Sequence, residues 1–139
     1  MGTTKKPRHA HRARLVSIPM TDGLRKEFAM TMHAALFGLR ACPAKDHFDA
    51  LAQIFNVVSL TIENDARFTH EARIIAGGAR ALVDIDSRFG ELRIFQPSAI
   101  EVAPIKPAAT AIDQILPRLD VTQLYLSMKR LAAMTQVAA

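Results

Sequence analysis

Five cations stand within ten residues near the start of the chain: Lys5, Lys6, Arg8, Arg12 and Arg14, with no acid among residues 1–14. Cations at that density can follow a phosphate backbone and release its counterions, and a basic arm can also reach into a minor groove. The same composition suits an acidic protein partner, or plain solvation. The arm lacks the bulky apolar face of a helix that lies on a membrane. The whole net charge of +5 belongs to it, because residues 15–139 hold thirteen basic and thirteen acidic side chains.

A second set of charges recurs at helical spacing. Arg73, Arg80, Asp84 and Arg88 fall on one stripe, with Gly77 between the first two. Two readings stay open. Arg73, Arg80 and Arg88 form an anion-facing patch with a close backbone approach at Gly77. Alternatively the stripe is a solvated face, with Arg80–Asp84 and Asp84–Arg88 ion pairs at i,i+4.

Chemistry of other kinds finds no constellation. There is no nucleophile elbow, Walker loop or CxxC pair. The AGGAR run at Gly77 lacks the lysine and hydroxyl of a phosphate loop. A carboxylate-bridged di-iron bundle needs Glu-x-x-His pairs, and none of the five histidines has a Glu three residues before it. His33, His47 and His70 are spread over three helices and read as surface or hydrogen-bonded residues, while His9 and His11 lie in the arm. The single cysteine, Cys42, can neither close an intrachain disulfide nor build a metal site alone. No cofactor and no metal are expected, and the chain reads as non-enzymatic.

The elements that must carry these residues are helical. Half of the 139 residues are apolar, with Ala, Leu, Ile and Met dominant and no Trp. Residues 46–64, DHFDALAQIFNVVSLTIEN, hold the clearest pattern. Phe48, Leu51, Phe55, Val58 and Ile62 share one face, and Ile54 and Val57 widen it. So broad a face needs two neighbours, which places this helix at the centre of a bundle. Asp46 is its expected N-cap. A first helix runs from Asp22 to about Ala41 before Pro43, with Leu24, Phe28, Met32, Leu36 and Leu39 inward. The short ACPAK link makes the two an antiparallel hairpin. A third helix begins near Asp65 or Thr69 and stops at about Phe89, with Gly90 as its terminator.

Gly77 and Gly78 interrupt that third helix at a cost of roughly 0.8–1 kcal/mol each, and a close crossing with the central helix, a bend around it or a bound ligand is the expected compensation, with the crossing or bend favoured. Residues 90–97, GELRIFQP, read as an extended connection. Ser98 and Glu101 match a capping box. Pro107 opens a fresh helix to about Leu116. A last helix spans roughly Asp120 to Gln136, with Val121, Leu124, Met128, Leu131 and Thr135 or Met134 inward. The predicted architecture is all-α: a four-to-five-helix bundle over residues 21–139, preceded by a flexible basic arm over residues 1–20. No eighteen-residue apolar run exists, and Leu15–Met20 is too short for a signal-peptide core, so a cytoplasmic location is expected.

Residues 6–21, KPRHAHRARLVSIPMT, resemble the opening of small uncharacterised proteobacterial and prophage proteins. Those share a KPR-x-x-x-R-x-R lead, a Pro-Met step and an all-helical body. Some carry the label of Fis-type transcriptional regulators. The resemblance implies a phage- or bacteria-associated helical protein and transfers no site residues. A Fis-type reader needs a basic recognition helix, whereas Val121–Gln136 holds only Lys129 and Arg130. Two functions therefore stand. One is a module that contacts nucleic acid through Lys5, Lys6, Arg8, Arg12 and Arg14. The other is a protein-interaction or inhibitor module, binding another protein or a second copy of itself through exposed residues such as Met30, Leu60 and Leu126.

Overall fold

Thr21 starts the first helix. Its extended backbone points the hydroxyl back, where it accepts the Leu24 N–H at 3.2 Å. The computed structural model describes residues 18–92 and 96–138, excluding the side chains of residue 92 and residues 135–138. The basic arm, with Lys5, Lys6, Arg8, Arg12 and Arg14, lies outside the described residues. Helix α1 spans Asp22–Ala41 and ends ahead of Pro43, as the periodicity requires. It buries Met32, Ala35, Leu36, Gly38 and Leu39, and leaves Leu24 exposed.

Helix α2 spans Lys45–Ile62 and buries Phe48, Leu51, Phe55, Val57, Val58 and Ile62. It begins before Asp46, so Asp46 is not its cap. The cap is Ala44, whose carbonyl already accepts the His47 and Phe48 N–H groups and which offers no side-chain bond. Asp46 instead sits in the first turn, where its charge suits the helix dipole. The His47 imidazole lies over Gly38 so closely that a Cβ there would meet its ring within 2.6 Å. That small residue lets α1 and α2 pack side by side.

Asp65 opens a short 3₁₀ turn, Ala66–Phe68, which leads into α3, Thr69–Leu92. The helix runs through Gly90 instead of stopping there. Gly90 terminates a helix only in a left-handed conformation, and its φ is not positive. As a helical residue it costs propensity without breaking the ladder. Residues 90–92 are therefore helical where an extended connection was predicted. Ile75, Gly78, Ala81, Leu82 and Ile85 are buried along α3.

The proline-rich quarter is segmented, as expected. Ser98 and Glu101 form a complete capping box on the short helix α4, Ala99–Val102. Helix α5, Ile105–Ile115, starts from Pro104, so Pro107 sits at its third position. A 3₁₀ turn, Leu116–Arg118, then joins α6, Val121–Ala138. Helix α2 is central and touches α1, α3 and α6, while α5 lies along α3 and reaches α1. The protein is an all-α bundle around a core that includes Met32, Leu51, Phe55, Ile75, Ile85 and Ile112.

Two details depart from the periodicity. Gly78 is buried, but an added Cβ would overlap Ala108 Cβ of α5 and come within 2.9 Å of Phe55 Cε2 of α2. The tightest approach is therefore to α5, with α2 second. Gly77 faces open space. On α6, Ser127 is buried while Met128 and Met134 are about half exposed. Thr61 Oγ1 on α2 lies 3.0 Å from Ser127 Oγ, and this polar contact turns α6 so that Met128 falls to its margin.

Candidate nucleic-acid interface

The arm enters the bundle at a defined place. Ile18 N–H donates to Asp120 Oδ1 at 2.7 Å, and Ile18 C=O accepts the Val121 N–H at 2.7 Å. Pro19 and Asp120 form an antiparallel bridge, and Met20 is buried. Asp120 does this while its second oxygen accepts the Gln123 N–H at the start of α6. One carboxylate thus caps the last helix and holds the root of the arm. Met20 docks the arm by side chain and Ile18 by backbone. Leu15 and Val16 lie outside the described residues.

Arg118 stands two residues before Asp120. Its guanidinium carbon lies 4.8 Å from the centroid of the buried Phe68 ring, and that of Arg67 lies 4.9 Å from the same ring. A ring face attracts a cation, and here it assembles two from distant parts of the chain. Arg67 is partly neutralised by Asp65, with Nη2 2.8 Å from Oδ2 and Nε 3.1 Å from Oδ1. These hydrogen bonds hold the Asp65 carboxyl below its usual range, and the charge of Arg118 acts in the same direction. Arg118 forms no ion pair among the described residues. The cluster carries one cation more than its single carboxylate balances.

The three-arginine patch on α3 is not assembled. Arg73 and Arg80 are exposed, as expected. Arg88 turns away to Glu101, with Nη2 2.6 Å from Oε1 and Nε 2.8 Å from Oε2, and also donates to the Gln96 carbonyl. That two-pronged pair draws the Glu101 carboxyl down to about 2, helped by the Ser98 N–H and hydroxyl. Neither Arg80–Asp84 nor Asp84–Arg88 forms, so the solvated-face reading loses its ion pairs too. Arg88 is a structural link between α3 and α4.

Two of the histidines hold structural positions. His33 Nε2 pairs with Asp113 Oδ2, tying α1 to α5, and His47 covers Gly38. Among the described residues no cluster of His, Cys, Asp or Glu is arranged to hold a metal ion. Cys42 is exposed and free. A polar notch of about 460 Å³ lies between the end of α2 and α6, where Arg130 pairs with Glu63 at 2.7 Å. Leu60 is half-buried in its wall. Among the described helices none is long and apolar enough to cross a membrane.

Arg67, Arg118 and Asp120 were not marked as site residues by the sequence. Their only signal is the proximity of Arg118 to Asp120; nothing in the spacing joins residues 67 and 118. Comparison of the chain with protein-family models, with curated proteins and with solved structures finds no match.

Proposed function

We propose that this protein is a non-enzymatic, cytoplasmic helical module that contacts nucleic acid through Lys5, Lys6, Arg8, Arg12 and Arg14, with Arg118 as an added contact at the root of the arm. One observation carries the reading: the segment bearing the whole net charge joins the bundle at Asp120, two residues from a cation that has no ion-pair partner among the described residues. The balanced charge of residues 15–139 supports a division of labour, in which the arm attracts and the bundle presents it. Contacts of this kind are to phosphates, so they position without specifying sequence. The resemblance of residues 6–21 to phage- and bacteria-associated helical proteins accords with it.

The test is fluorescence anisotropy on a labelled duplex over a range of salt. The full chain should show a log–log salt slope of roughly −5 to −6, as neutralisation of about six phosphates requires. Replacing the five arm cations with Gln should abolish most of the slope, and Arg118→Ala should reduce it by about one. Equal affinity after the five replacements would refute the proposal.

A second reading has its own support. Met30, Ala34, Phe37 and Ala41 recur at spacings of four, three and four on the outward side of α1, and Met30 and Phe37 are each 72% exposed. Leu126 is 50% exposed on α6. An apolar stripe of this spacing suits a partner helix, from another protein or a second copy. Sedimentation at two concentrations tests self-association; one unchanged monomeric mass would exclude the homodimer.

A further inference from the structure

A cavity of about 350 Å³ opens between the last turn of α1 and the elbow where α4 meets α5. Arg40 from α1 and Lys106 from α5 both line it, together with Ser98 at the cap of α4. Pro97, Ala99 and Val102 supply an apolar lining, and no Asp or Glu is among the described residues around it. Neither Arg40 nor Lys106 forms an ion pair with any described residue. The acid nearest along the chain, Glu101, is already committed to Arg88 and to the Ser98 N–H. The Ser98 hydroxyl is committed to the same residue, accepting the Glu101 N–H and helping to lower the Glu101 carboxylate, so the two cations are the charged donors of the cavity.

Two cations facing one concave space without a counter-charge repel each other, and an anion between them relieves both. The guanidinium offers a planar fork for two oxygens and the ammonium a point charge. That donor set matches the oxygens of a phosphate monoester better than a single carboxylate. The apolar lining favours a ligand that carries the charge on a short apolar body.

We propose that this cavity binds a small organic anion, a phosphate monoester on an apolar body, with Arg40 and Lys106 holding the phosphate and Val102 and Pro97 covering the body. The inference is independent of the nucleic-acid reading, since no arm residue enters it. Phenyl phosphate is the probe, titrated into the full chain and followed by backbone amide NMR. Saturable shifts centred on Arg40, Ser98, Val102 and Lys106, with a midpoint at or below about 1 mM, are expected. Arg40→Met and Lys106→Met keep much of each exposed stem and remove its charge, and each should weaken binding about tenfold. Arg80→Met, on an exposed cation of α3 outside the cavity, should leave it unchanged, and neutral benzyl alcohol should not bind. Absence of saturation, binding unaltered by Arg40→Met and Lys106→Met, or equal loss with Arg80→Met would overturn the proposal.

Discussion

Gly78 of α3 lies against Ala108 of α5, and a methyl group on Gly78 would occupy the space that the Ala108 methyl already fills. Two small residues thirty positions apart thus set how closely the two helices approach. Their neighbour Gly77 has no atom within 4 Å of the position its Cβ would take.

Adjacent glycines should therefore respond with opposite signs. Gly77→Ala gains helix propensity at no steric cost and should stabilise by about 0.8–1 kcal/mol. Gly78→Ala must part α3 from α5 and should destabilise by about 1–3 kcal/mol. Thermal melts of the two variants check it. A rise in midpoint for Gly78→Ala would mean that the α3–α5 contact is looser than described.

Glu101 gives the fold an acid-sensitive joint. Its carboxyl is lowered from 4.5 to about 2 by the Arg88 hydrogen bonds, so the folded state binds its proton less readily than the unfolded chain. The contribution is thus fully present above about pH 4.5 and is lost as pH falls toward 2. Glu101→Gln should cost about 1–2 kcal/mol at pH 7, once solvent screening is allowed for, and much less at pH 2. Urea titrations of both proteins at the two pH values measure the difference; an equal cost at both would remove the ion pair as its cause.

Ser127, not Met128, faces α2. Ser127→Ala should cost about 1 kcal/mol by removing its hydrogen bond with the Thr61 hydroxyl, which keeps its bond to the Val57 carbonyl. Met128→Ser, at a half-exposed site, should stay within about 0.5 kcal/mol of the parent. Chemical denaturation of the pair distinguishes this orientation of α6 from one that buries the methionine.

Asp120 serves two ends of the chain, so its removal should be felt at both. Asp120→Ala should destabilise by about 1–2 kcal/mol through loss of the α6 cap. It should also speed hydrogen exchange at the Ile18 amide, which donates to that carboxylate. Asp120→Asn keeps one acceptor oxygen of the two, so it should restore the α6 cap or the Ile18 bond but not both. Protection at Ile18 that survives Asp120→Ala would show that the Asp120 carboxylate is not what holds the arm root.

Helices were legible because burial imposes a period. Phe48, Leu51, Phe55, Val58 and Ile62 share a face, and all five are buried. Stops and caps written in local chemistry were legible too: Pro43 and the Ser98–Glu101 box act within a few residues of themselves. Local cues misled where two interpretations were sterically open. Gly90 can end a helix or continue it, and Asp46 can cap a helix or sit in its first turn. On α6 a period of three or four admits either Ser127 or Met128, and only the hydroxyl of Thr61 across the interface decides.

From sequence alone, what is determined about this protein is its all-helical class, the central place of the 46–64 stretch and the gathering of its net charge in residues 1–14. Tertiary structure decided which side chains meet. It sent Arg88 to Glu101 and away from the α3 stripe, brought Arg67 and Arg118 to one ring, and tied the arm to Asp120. The physical reason is that periodicity records how much of a helix is covered, not by what. The partner is chosen by helices packing together across tens to a hundred residues, and no local pattern carries that choice.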